Sequence, residues 1–140
     1  MTLFFRQGFC YINNAMKKPV IITVEDDPDI RETVAAILEG EGYEVKAYEN
    51  GKQALDALRE CPEASLILLD WMMPVMNGGE FLVARCFLPE AVSKVPVVVV
   101  SAFQNIARPT VGVKAFVKKP FRIDNLLEVV QKHCRVESCA

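Results

Sequence analysis

Asp70 stands at the end of the apolar run Leu66-Ile-Leu-Leu69 and is followed by Trp71-Met-Met-Pro-Val-Met-Asn-Gly78. A short apolar run that stops at a carboxylate and then meets Pro and Asn-Gly predicts a buried strand that hands an acid to a loop. The run Val20-Ile-Ile-Thr-Val24 leads in the same way into Glu25-Asp26-Asp27. Two later runs end in other reactive groups: Val97-Val-Val-Val100 in Ser101, and Ala115-Phe-Val117 just before Lys118-Lys119-Pro120. An open parallel sheet binds its ligands outside the carboxyl ends of its strands, so acids, a hydroxyl and an amine at four strand ends converge on one edge.

Carboxylates from two strands meeting there repel each other, and burial penalises their charge further. A hard divalent cation removes the conflict. Mg²⁺ takes octahedral oxygen ligands and keeps several waters or phosphate oxygens among them, so Glu25, Asp26 and Asp70 read as a Mg²⁺ site with open positions for a phosphoryl group. Asp70 can then serve as the nucleophile, Lys119 as the balancing cation and Ser101 as a hydrogen-bond donor to a phosphoryl oxygen. Each residue alone has a plainer role. Glu25 and Asp26 make an ordinary acidic turn, Asp27 a helix cap, Asp29 a first-turn acid, Ser101 a strand-end hydroxyl, and Lys118 a solvated lysine. Lys119-Pro120 can be a simple turn, or can hold a cis bond.

The elements needed to position these groups alternate regularly. Asp27 caps a helix with Pro28 at its first position; Ile30, Val34, Ile37 and Leu38 form its inner stripe, and Gly40 or Gly42 ends it. Residues 43–48 predict a second strand, and Asn50-Gly51 starts a helix with Ala54, Leu55 and Leu58 inward. A third helix is expected over residues 79–87, a loop over 89–94, and a last helix over 123–133 with Leu126, Leu127 and Val130 inward. Nearly continuous apolar strands alternating with helices predict an α/β fold, a five-stranded parallel sheet covered on both faces.

The 140 residues fit one domain, with residues 1–15 as an N-terminal extension and 16–140 as the folded unit. The extension is expected to be poorly ordered, or to be a docking segment through Phe4, Phe5, Phe9 and Tyr11. A net charge of −2 with scattered Lys and Arg gives no field favouring nucleic acid. Five cysteines without a Cys-x-x-Cys pair, and a single histidine, argue for reduced cytoplasmic thiols over a zinc site. No apolar run approaches the ~20 residues of a membrane span.

The motifs Val24-Glu-Asp-Asp-Pro-Asp-Ile-Arg31, Leu69-Asp-Trp-Met-Met-Pro-Val-Met-Asn-Gly78, Val100-Ser-Ala102 and Lys118-Lys-Pro-Phe121 resemble those of the receiver domain of two-component response regulators, over residues 18–134. The resemblance, to a stand-alone receiver of the chemotaxis-regulator kind, implies a doubly wound, flavodoxin-like sheet of order 2-1-3-4-5. It implies Asp70 as phosphoacceptor, Glu25 and Asp26 as the acidic pair on Mg²⁺, and the Met72 backbone carbonyl as a further ligand. It also implies Ser101 as switch hydroxyl, Lys119 as the lysine and Phe116 as switch aromatic. The implied partners are a sensor histidine kinase or histidine phosphotransfer protein and a downstream protein of unspecified kind; charge and hydropathy patterning predict no nucleic-acid and no membrane partner, and the expected state is a monomer or weak homodimer. The chain would be a signalling switch rather than an enzyme.

Two departures stand out. The stretch from Ser101 to Gly112 is short and contains Pro109, which predicts a shortened fourth helix. Phe116 carries no hydroxyl, so a switch there must act through packing. Met72 and Phe103, two positions after Asp70 and Ser101, are bulky and apolar, which predicts slow loss of a phosphoryl group. A phosphohydrolase built on Asp70 would need a general acid two residues on, where Met72 stands. A receiver-like module that is never phosphorylated would not need the acids, Ser101 and Lys119.

Overall fold

The computed structural model describes residues 3–6, 9–12, 15–60, 63–102 and 112–135, with side chains from residue 18 onward. Three short antiparallel strands come first: β1 (Leu3–Arg6), β2 (Phe9–Ile12) and β3 (Ala15–Lys17), in a sheet of their own. Strand backbone therefore occupies much of the expected extension, and β3 crosses its expected boundary at residue 16. The docking role of Phe4, Phe5, Phe9 and Tyr11 concerns side chains outside those described.

The main sheet is built from β4 (Val20–Val24), β5 (Glu44–Tyr48), β6 (Ala64–Asp70), β7 (Val97–Ser101) and β8 (Val113–Lys118). All its pairings are parallel and the order is β5-β4-β6-β7-β8, the expected 2-1-3-4-5 with β4 counted first. The central strands β4, β6 and β7 are buried along their whole length, because helices cover both faces and every second side chain needs an apolar neighbour.

On one face, α2 (Gly51–Glu60) and α3 (Gly78–Arg85) set Ala54, Leu55, Leu58, Phe81 and Leu82 against Ile22, Ile67 and Val99. On the other, α1 (Pro28–Gly40) and α5 (Ile123–His133) set Val34, Leu38, Leu126 and Val130 against Ile21, Leu68 and Val98. Burying a side chain of this size is worth about 1.5–3 kcal/mol, so the two layers hold the sheet from both sides.

Local signals account for the helix ends. The Asp27 side chain accepts from the Asp29 and Ile30 amides at 2.9 and 3.3 Å, with Pro28 in the first turn. Gly42 takes φ +95° just beyond α1, where a side chain would be strained. Asn77 caps α3 in a reciprocal capping box with Glu80, so that helix starts at Gly78 and ends at Arg85, short of the expected residue 87. The expected loop over residues 89–94 contains one helical turn, α4 (Glu90–Ser93), tied by a Lys94–Glu90 ion pair. The expected shortening of the fourth helix, with Pro109 and Phe103, falls in residues 103–111, outside the described residues.

Candidate functional site

β4 and β6 run side by side in parallel, with Val24 opposite Leu69, so Glu25 and Asp70 leave the sheet at the same edge. The β4–α1 turn is folded back by Arg31, whose Nη1 donates to the Glu25 carbonyl at 2.9 Å and the Asp26 carbonyl at 3.4 Å. One ligand atom each from Glu25, Asp26 and Asp70 lie within 4.8 Å of one another. Glu25 and Asp70 are buried, Asp26 exposed.

The loop after Asp70 is shaped by its backbone. The Met72 amide donates to Asp70 Oδ1 at 3.3 Å, and the Gly78 amide closes onto the Trp71 carbonyl at 2.9 Å. A Cβ on Gly78 would lie 2.8 Å from Trp71 Cε3 and 3.0 Å from its Cα, so the Asn-Gly signal serves close packing as well as the cap. Val75, at the exposed tip, takes φ +70°, a strained conformation for a β-branched residue.

Lys119 reaches in from the end of β8. Its Nζ donates to Glu25 Oε2 at 2.7 Å and lies 3.5 Å from Asp70 Oδ2. The Lys119 amide donates to the Ser101 carbonyl at 2.8 Å, tying the ends of β7 and β8 together, and the Lys119–Pro120 bond is cis. Ser101 is buried and follows Val100, the residue opposite Asp70 on the neighbouring strand. Lys118 is exposed, as expected. Phe116 lies on β8 opposite Val99 and is 41% exposed.

The electrostatics follow from this packing. Burial, and next the Glu25 charge, push the Asp70 carboxyl from 3.8 up to about 7; a hydrogen bond shared with Asp26 adds to the rise, while Lys119 and the Met72 amide oppose it. Excess negative charge on hard oxygen donors is the chemistry a Mg²⁺ ion neutralises, and the acidic trio fits such an ion.

Residues 21–131 match the model of the response regulator receiver domain family. The chain belongs to that family. This receiver is 34% identical over 119 residues to the DNA-binding response regulator MtrA of Mycolicibacterium smegmatis, covering 82% of this chain and 50% of that protein. It is 36% identical over 124 residues to the uncharacterized transcriptional regulatory protein YkoG of Bacillus subtilis, covering 86% and 53%. The receiver thus spans about half the length of the curated relatives it matches.

Among solved structures, it is similar to the chemotaxis protein CheY4 of Vibrio cholerae, with TM-score 0.74 and 27% identity over 84% of this chain and 99% of that one. It is equally similar to the receiver domain of the sensor histidine kinase PA1611 of Pseudomonas aeruginosa, solved with a magnesium ion in its active-site cleft. There the TM-score is 0.75 with 25% identity over 84% and 98%. The expectation of no nucleic-acid partner gains no support from relatives named as DNA-binding and transcriptional regulators. Among the described residues, no helix is long and apolar enough to cross a membrane.

The structure brings Glu25, Asp26, Asp70 and Lys119 into direct contact range, and it sets Ser101 on the adjacent strand end. Sequence reasoning missed that Lys119 engages Glu25 more closely than Asp70. It also missed the clamp by Arg31, although an arginine four residues beyond a helix cap is placed to reach back over the turn.

Proposed function

We propose that this receiver takes a phosphoryl group onto Asp70 from a histidine kinase or histidine phosphotransfer protein and uses it to bias a protein-binding surface. The observation that carries the reading is the cluster of Glu25, Asp26 and Asp70 carboxylates with the Lys119 amine against two of them. Glu25, Asp26, Asp70 and the Met72 carbonyl would hold Mg²⁺, which supplies charge neutralisation for the incoming phosphoryl oxygens.

In the transfer, a carboxylate oxygen of Asp70 attacks phosphorus as the phosphohistidine P–N bond breaks. The electron pair leaves with the imidazole nitrogen, which takes up a proton. Lys119 exchanges its contact with Asp70 for a phosphoryl oxygen, and the Ser101 hydroxyl donates to another. Movement of Ser101 lets Phe116, half exposed on β8, pack inward, so the readout is a repacked surface rather than turnover. Loss of the group requires water to attack phosphorus and Asp70 to leave as carboxylate.

The receiver is in this reading a cytoplasmic signalling switch comprising residues 16–140, a monomer or weak homodimer. The names of its longer relatives favour a transcriptional output for the protein in which it acts. Incubation with phosphoramidate and Mg²⁺ followed by intact mass tests the reading. One added phosphoryl group on the wild type and none on Asp70→Asn is the expected result; an unmodified wild type, or a phosphorylated Asp70→Asn, overturns it.

A further inference from the structure

Thr23 is the polar residue in the otherwise aliphatic strand β4, and it is only 2% exposed. Its Oγ1 has no hydrogen-bond partner among the described residues. A buried hydroxyl in that position is less favourable than a valine of the same shape, unless something bonds to it. Beside it lies a cavity with about 20 Å³ open to the centre of a water-sized sphere, above the ~10–15 Å³ that one water requires. The lining includes Thr23, Glu25, Arg31 and Asp70 as polar groups, with Val34 and Leu68 among the apolar ones. A stable buried water needs two or more polar partners, and four of the lining residues carry polar groups.

We propose that this cavity holds one ordered water bridging the Thr23 hydroxyl to the Asp70 carboxylate, and that Thr23 is thereby a positioning residue for the phosphoacceptor. Asp70 has capacity for it. Its Oδ1 accepts one amide from Met72, its Oδ2 faces Lys119, and it shares one hydrogen bond with Asp26, which still leaves room on a group that takes up to about four donors. A donor from the cavity side restrains rotation of the carboxylate, as outer partners of metal-binding carboxylates do. The water site stands on cavity and hydroxyl alone; its effect on the metal rests on the reading of Asp70 given above.

The test pairs high-resolution crystal structures of the metal-free full chain with Mg²⁺ titrations followed by fluorescence of Trp71, the only tryptophan and the neighbour of Asp70. Wild type and Thr23→Ser are expected to show one water within hydrogen-bonding distance of residue 23 and Asp70, and Thr23→Val none. The Mg²⁺ Kd of Thr23→Val is expected to rise roughly three- to tenfold, with Thr23→Ser returning to the wild-type value.

A dry cavity in the wild type overturns the proposal, as does a water that bonds Glu25 and not Asp70. An ordered water with an unchanged Mg²⁺ Kd in Thr23→Val overturns the positioning role. If Thr23→Val does not fold, the wild-type crystal decides the water and Thr23→Ala the affinity. A wild type that fails to take up phosphoryl while keeping this water sinks the functional reading without touching the site.

Discussion

Removing the charge of Asp70 is expected to stabilise the metal-free protein. Asp70 is 6% exposed and ends a fully buried strand beside Glu25, and its carboxyl is pushed from 3.8 up to about 7. Because the folded value lies above the unfolded one, the associated stability is fully present below about pH 3.8 and is lost as pH rises through about 7. At pH 8 the fold therefore carries a charge it disfavours. The gap from 3.8 to about 7 corresponds to at most about 4 kcal/mol at 1.36 kcal/mol per pH unit. Asp70→Asn keeps the shape but gives up the Lys119 contact and the Met72 amide bond to a charged acceptor, so a net gain of about 1–3 kcal/mol is expected at pH 8. Urea unfolding in EDTA at pH 8 and pH 5 measures it. The gain should shrink or vanish at pH 5, where the folded wild type holds the proton. Added Mg²⁺ at pH 8 should stabilise the wild type much more than the variant. An equal gain at both pH values, or none at pH 8, would refute the electrostatic account.

Lys119→Met leaves Glu25 and Asp70 facing each other without their shared cation; it should cost about 2 kcal/mol at pH 8 in EDTA and drive the Asp70 carboxyl above 7, read by carboxyl-carbon NMR titration. Val75→Asn places a residue tolerant of positive φ at the strained loop tip, and thermal unfolding should report a gain of about 1 kcal/mol. Arg85 is fully buried, with Nη1 donating to the Val95 carbonyl, and burial lowers its guanidinium pKa. Arg85→Met should therefore cost about 1–2 kcal/mol and Arg85→Ala at least 1 kcal/mol more, the difference being the cavity, measured by urea unfolding. Met72→Asn puts a polar side chain at a position 56% exposed beside Asp70; phosphate release timed after phosphorylation should quicken severalfold.

Much of this architecture was legible in the chain because its causes are local. Uninterrupted apolar runs bounded by turn residues read as central strands of a covered sheet, so β4, β6 and β7 followed from the residues, while their order followed only from the resemblance of the motifs to the receiver family. Asp27-Pro28 and the stripe of Leu126 and Val130 carry the start of α1 and the inner face of α5 in their own spacing. Convergence of Glu25, Asp26 and Asp70 also followed, since parallel strands deliver their ends to one edge.

What tertiary structure alone decided are contacts between distant residues. Glu25 and Lys119 are 94 positions apart, and only the assembled sheet shows that this amine sits on Glu25 at 2.7 Å and on Asp70 at 3.5 Å. Arg85 is a cation in the last turn of α3, yet it shares a face with Phe81, and it lies buried with Nη1 on the Val95 carbonyl. Thr23 is one residue of a strand pattern until a cavity beside it and an unbonded Oγ1 single it out. Periodicity specifies which face a residue is on; the field and the space it meets there come from elements far away in the chain.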